Sequence, residues 1–152
     1  MTPAVASISR KQDARAAVLA YKHPVLVARL EEKLKIAHTE ATQLFEDMKM
    51  FLYLCGISPE SISPSETIDF TWHEFILFTQ DYAHFCESHF GHFIHHRPRH
   101  PEDLPTKREG SQRAVALARE IFGNDLSENW TYPISSDASE DPCDNCGCNA
   151  AL

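Results

Sequence analysis

The sequence has little glycine, no long apolar run and few basic residues after its N-terminal quarter. Five glycines among 152 residues, with no phosphate-cradling glycine loop, argue against nucleotide chemistry. No apolar stretch approaches the roughly 20 residues that a membrane-spanning helix needs. Residues 1–10 lack the charged-then-apolar layout of a secretory signal. We therefore expect a soluble, cytoplasmic protein with no membrane partner.

Signatures of familiar catalysts are also missing. His73-Glu74 begins like the His-Glu-x-x-His motif of zinc proteases, but Leu77 stands where the second histidine belongs. No serine nucleophile elbow is present. No complete catalytic set can be read, so our interpretation leans away from an enzyme and leaves that question open.

The charge distribution disfavours nucleic acid as a partner. The net charge is −8, whereas binding to phosphate backbones relies on lysine and arginine to release counterions. Residues 39–91 carry one basic and nine acidic side chains, and residues 125–152 carry six acidic and none basic. The seven basic residues within 1–38 are typical of a solvated helix face. We expect a protein partner and no nucleic acid.

Apolar periodicity predicts an all-α fold, a compact bundle of about five helices with a mobile, cysteine-containing C-terminal tail. We divide the chain into a flexible N-terminus (1–10), a helical domain (11–132) and an acidic tail (133–152). No stretch reads as a strand. The predicted helices cover about Lys11 to Tyr21, a segment from Pro24 to Ala37, a segment from the Thr39 cap to the Gly56 stop, a segment from Ile68 to Cys86 capped by Ser65 or Thr67, and about Thr106 to Phe122.

A dense group of histidines is the most informative feature. Seven of the nine histidines lie between His73 and His100, and neutral imidazole is a common ligand of zinc, copper and iron. Histidines 73 and 84 would lie about 16 Å apart along a straight helix, too far to share an ion. Tertiary packing of His73 against the 92–96 turn is therefore the expected route to a site.

The predicted site has two groups of residues. Asp69, one helical turn before His73, could ligate the ion or orient the imidazole, and Tyr82 and Trp72 could contact whatever is bound. The ion is predicted to be zinc or another divalent transition metal. The predicted metal ligands are His73, His96, His95, Cys86 and His92.

Three cysteines cluster in the C-terminal tail. Cys143 and Cys146 have the Cys-x-x-Cys spacing that can place two thiolates on one tetrahedral ion, and Cys148 adds a third. The second pair that would close such a site is missing from the tail. These thiols could bind a soft metal, complete the histidine site, act as a redox pair or be modified by another enzyme.

The stretches Ile68 to His73 and Phe93 to Pro98, with Tyr82 and Phe90-Gly91 between them, resemble the glycine-rich domain-containing protein-like family, in its small bacterial form. Trp130 extends the resemblance, which covers roughly residues 38–132. It implies a helical domain of poorly defined role, and it supports His73, Tyr82 and His96, with His95 and Cys86 matching mainly the bacterial form. The tail holds one glycine, so glycine-rich behaviour is not carried over.

The leading hypothesis is a small helical metal-binding module. A protein–protein interaction or adaptor domain, in which the histidines and Trp72 form a polar seam in the core, is the alternative. A third hypothesis is a carrier or substrate protein that acts through its cysteine tail.

Overall fold

Prolines, serines and glycines mark several helix boundaries of this chain, among them Pro24, Ser65 and Gly91. The structure is a computed structural model that describes residues 3–97 and 104–131 and the backbone of 147–149, with side chains described at 10–97 and 108–131. The elements within these residues are α1 (Pro3–Ala20), α2 (Pro24–Leu34), α3 (His38–Ile57), α4 (Glu66–Ile76), α5 (Thr79–Phe90), β1 (His95–Arg97), α6 (Leu104–Phe122), a 3₁₀ turn (Glu128–Trp130) and β2 (Gly147–Asn149).

The predicted all-α fold is confirmed, with six α-helices in the described residues where about five were expected. Helix α3 is the central element, and α1, α2, α4 and α6 all pack against it. Its side chains Met48, Phe51 and Leu52 have no exposed area, because neighbouring helices cover it on several sides. None of the helices in this part of the chain is long and apolar enough to cross a bilayer.

Side-chain caps determine how two helices begin. The Nδ1 atom of His23 accepts the backbone N–H of Leu26 at 3.0 Å, and Pro24 occupies the first turn of α2. The Oγ atom of Ser65, one of the two predicted caps, accepts the N–H of Ile68 at the start of α4. Such caps satisfy backbone donors that have no partner within the helix.

The predicted single helix from Ile68 to Cys86 is wrong, because the chain breaks at Leu77 and Phe78 into α4 and α5. No glycine or proline lies at the break, and the apolar pattern continues across it, so no local sequence signal shows that the helix stops there. The ring of Phe78 packs edge-on against His23 at 4.8 Å between centroids. The break thus allows α5 to turn towards α2, where Asp81 Oδ2 meets His23 Nε2 at 2.8 Å.

Several helix boundaries differ from their predicted positions, and α2 ends at Leu34 rather than Ala37. Helix α1 begins at Pro3, within the segment expected to be flexible. Helix α3 begins at His38 rather than after a Thr39 cap, and the Glu40 carboxylate accepts the N–H of Ala37 there. Gly56 lies inside α3, which ends at Ile57. A Cβ atom at position 56 would come within 2.6 Å of the Phe90 ring, so glycine here allows this residue of α5 to pack closely against α3.

A short antiparallel ribbon, which the sequence did not predict, joins β1 to β2. Its register pairs His95 with Asn149, His96 with Cys148 and Arg97 with Gly147. The ribbon has two three-residue strands and leaves the fold class unchanged. The other tail residues on which predictions were made, including Cys143 and Cys146, lie outside the described residues.

Candidate metal centre

Helix α4 places Asp69 and His73 one turn apart on the same side. This follows from the four-residue spacing, because residues four apart on a helix are neighbours. Asp69 is buried, with 6% of its surface exposed, and the intervening Trp72 has none exposed. The Asp69 Oδ2 atom lies 3.5 Å from the Nδ1 atom of His73. The helix itself therefore builds two-thirds of the centre.

Strand β1 brings the third residue from another part of the chain. Helix α5 ends at Phe90, and the capping Gly91 that follows, with a φ of +72°, reverses the chain direction. Ile94 then enters the core with no exposed surface. The buried Tyr82 hydroxyl accepts the indole N–H of Trp72 at 3.0 Å and donates to the Ile94 carbonyl at 2.5 Å. These contacts anchor the start of β1, and His96 follows two residues later.

The three side chains form a tight cluster. His96 Nε2 lies 2.8 Å from Asp69 Oδ1, and the rings of His73 and His96 stand 4.0 Å apart between centroids. One donor atom from each of the three residues lies within 4.8 Å of the other two. Among the described residues, no other set of three or more histidine, cysteine or carboxylate side chains brings its donor atoms this close together.

The donor set and its spacing fit a transition metal. A tetrahedral zinc ion bound at 2.0–2.2 Å holds its nitrogen and oxygen ligands about 3.4 Å apart. The pair formed by Asp69 and His73 already stands at 3.5 Å. The hydrogen-bonded pair formed by Asp69 and His96, at 2.8 Å, would open by roughly half an ångström. Both separations are thus close to the spacing of zinc ligands, and they run to the two different oxygens of Asp69.

The remaining predicted ligands lie in other surroundings. His95 is exposed on β1 and packs its ring against Phe93 at 4.8 Å. His92 is exposed, with its Nδ1 atom 3.0 Å from the Phe90 carbonyl oxygen. Cys86 is fully buried on α5. The structure does not bring these three into the cluster.

Burial also affects the ionisation of two predicted residues. It raises the pKa of the Cys86 thiol, which therefore stays protonated at neutral pH, and a protonated thiol is a poor metal ligand. Burial likewise raises the pKa of Tyr82, so its hydroxyl stays neutral and acts as a hydrogen-bond relay between Trp72 and Ile94. Both groups support β1 from within the core.

A second buried carboxylate escaped the sequence analysis. Asp47 on α3, with 1% of its surface exposed, accepts hydrogen bonds from three residues at the C-terminal end of the helical domain. The donors are Ser127 Oγ at 2.6 Å, Asn129 Nδ2 at 2.8 Å and Trp130 Nε1 at 3.1 Å. A separation of about eighty residues leaves no local pattern by which this cluster could have been found.

Comparison with known proteins identifies the family. Residues 13–120 match the model of the UCP032817-like family, which is more than half of the chain. The chain belongs to the UCP032817-like family. Searches of the curated proteins and of the solved structures returned no match. The resemblance to the glycine-rich domain-containing protein-like family was therefore wrong.

The structure suggests why that resemblance misled. Trp72, Tyr82 and Ile94 are core residues, and Gly91 is a helix-ending residue with positive φ. Aromatic and glycine residues at such positions satisfy packing and backbone requirements common to many helical proteins. These four positions of the motif therefore carry little information about kinship.

Proposed function

We propose that this UCP032817-like protein is a small helical metal-binding module, and that Asp69, His73 and His96 hold the ion. The observation that carries the proposal is the approach of three donor atoms to within 4.8 Å of one another. One donor is a buried carboxylate, and two segments far apart in sequence supply the set. A buried carboxylate between two imidazoles gives a site its charge and its nitrogen ligands together.

The donor chemistry favours zinc or another divalent transition metal over magnesium and calcium. Two imidazole nitrogens and one carboxylate oxygen suit zinc, iron, copper and nickel, whereas magnesium and calcium prefer oxygen ligands alone. Three protein ligands leave a further position on a tetrahedral ion. Water, a substrate or another protein group can take that position, so the three residues alone do not imply catalysis.

Metal content and affinity provide the test. Untagged protein, purified under reducing conditions, is analysed by inductively coupled plasma mass spectrometry, and the metal-free form is then titrated with zinc against a chromophoric chelator. We expect about one equivalent of zinc in the wild type. Asp69→Asn, His73→Ala and His96→Ala should each weaken binding by at least about tenfold to 100-fold, the range seen when even supporting residues of metal sites are changed.

Two histidines serve as matched controls. His95→Ala removes an exposed imidazole from the same strand as His96, and His84→Ala removes an exposed one from α5. Both variants should bind zinc like the wild type. Equal binding by all variants, or loss in His95→Ala without loss in His96→Ala, would overturn the assignment of the centre.

A cytoplasmic location and a protein partner stay predictions from the sequence, as does a carrier role for the cysteine tail. The same metal analysis on a chain truncated before Cys143 addresses the carrier role. Metal lost on truncation and kept in His73→Ala would favour the carrier over the helical centre.

A further inference from the structure

The ribbon formed by β1 and β2 connects the C-terminal tail to the candidate metal centre. Its register sets Cys148 directly opposite His96. His96 is the residue that β1 contributes to the centre, and its Nε2 atom lies 2.8 Å from Asp69 Oδ1. A tail cysteine and a centre histidine thus share one pair of opposing backbone positions.

Opposing residues in an antiparallel pair stand on the same face of the ribbon, with Cβ atoms about 4.5–5.5 Å apart. Along β1 the residues on either side of His96 are exposed, whereas the side chain of His96 is 8% exposed and faces α4. The backbone register therefore places Cys148 on the face of the ribbon directed towards Asp69 and His73.

A tetrahedral ion at this centre would take a fourth ligand. Asp69, His73 and His96 occupy three positions of a tetrahedral ion, and a cysteine thiolate is among the ligands that zinc binds most readily. Contact with the metal also lowers a thiol's pKa, so a cysteine on the ribbon is ionised as it binds.

We propose that Cys148 supplies the fourth ligand, so that the ion closes the site and ties the C-terminal segment to the helical body. The inference rests on the proposed function, since it needs an ion at Asp69, His73 and His96. Four protein ligands make a structural zinc site, whereas three leave the open position that hydrolytic zinc enzymes use. The tail then determines which kind of site the protein has.

Cobalt(II) substitution of the full-length chain tests this ligand directly. Cobalt bound by a thiolate shows an intense sulfur-to-cobalt charge-transfer band in the near ultraviolet, and cobalt bound only by nitrogen and oxygen does not. We expect the band in the wild type, in Cys143→Ser and in Cys146→Ser, and its loss in Cys148→Ser. We also expect Cys148→Ser to weaken zinc binding by about 100-fold, since each ligand carries a large share of the affinity of a four-ligand site.

The outcomes separate the two proposals. Stoichiometric cobalt binding without the band would overturn the Cys148 ligand and leave the centre of Asp69, His73 and His96 intact. No cobalt binding would overturn both. A band that persists in His73→Ala and disappears in Cys143→Ser would place the ion within the tail and overturn both as well. Circular dichroism of each variant verifies that the helical body still folds.

Discussion

Asp47 and Asp69 are both buried carboxylates on neighbouring helices of one core, yet their partners differ in kind. Asp47 is surrounded by a hydroxyl, two amides and an indole N–H, contributed by Ser127, Gln43, Asn129 and Trp130. Asp69 faces two imidazole rings. The donors around Asp47 saturate a carboxylate permanently, because an indole N–H can only donate and an amide group keeps its protons. Imidazole nitrogen can give up its proton and become a ligand.

The difference shows how a fold separates stability from chemistry. The Asp47 cluster fastens the end of the helical domain to α3, and all its hydrogen bonds are made within the protein. The Asp69 cluster is partly open, since the His73 side chain keeps 24% of its surface exposed. We therefore expect Asp47 to matter for folding and Asp69 to matter for binding, and the following experiments can break or sharpen that distinction.

The largest expected effect is the loss of stability in Asp47→Ala. This change removes the acceptor for four donors, three of which belong to residues that are at least partly buried, and we expect it to cost about 3–4 kcal/mol. Asp69→Asn in the metal-free protein should cost less than about 1 kcal/mol, because the amide oxygen can still accept a hydrogen bond from an imidazole. Urea unfolding followed by circular dichroism measures both. Equal losses would show that the two carboxylates share a structural role.

Stabilisation by zinc should also distinguish the two carboxylates, because only Asp69 is a proposed ligand. At a zinc concentration about 100 times the dissociation constant, binding stabilises the folded wild type by about 2.7 kcal/mol. For a chain of this length the melting temperature should rise by roughly 5–10 °C. Asp69→Asn should lose most of this shift. Asp47→Asn should be less stable without zinc but should show the same zinc-induced rise in melting temperature as the wild type. Absence of that rise would argue that the Asp47 and Asp69 clusters do not act independently.

Tyr82→Phe probes the connection between the core and the metal centre. The change removes one hydroxyl from a buried site and leaves the Trp72 N–H and the Ile94 carbonyl without that partner. We expect a loss of about 2 kcal/mol. Because Ile94 lies two residues before His96, zinc affinity should also fall, by about tenfold. Unfolding and zinc titration of the same variant measure the two effects, and an unchanged zinc affinity would show that β1 is held by other contacts.

The smallest expected effect is on how the stability of the protein depends on pH. Burial, with repulsion from His84 as a second cause, lowers the pKa of His89 in the folded protein. The unfolded chain then binds the proton more readily, so this contribution to stability is present above the ordinary histidine pKa of about 6.5 and is lost as pH falls through the lower folded value. In metal-free protein, His89→Gln should reduce the loss of stability between pH 7.5 and 5.5. Parallel curves for variant and wild type would contradict this assignment.

Local sequence patterns predicted much of the helical body. Apolar periodicity indicated α2, α3 and α6, and Ser65 was among the two residues expected to cap α4. The same patterns could not locate the break at Leu77 and Phe78, because both sides of it are apolar and the break comes from packing against His23. Gly56 misled for a related reason: a glycine needed for close approach looks like a glycine that ends a helix.

By itself, the sequence determined the four-residue spacing of Asp69 and His73, because the period of an α-helix brings such residues together wherever the helix lies. Only the tertiary structure decided which other groups meet them. His96 reaches Asp69 through the reversal at Gly91 and the hydrogen bonds that anchor Ile94. Cys148 comes opposite His96 through strand pairing across some fifty residues of chain. Contacts between distant segments depend on packing and register, and neither is encoded in local spacing.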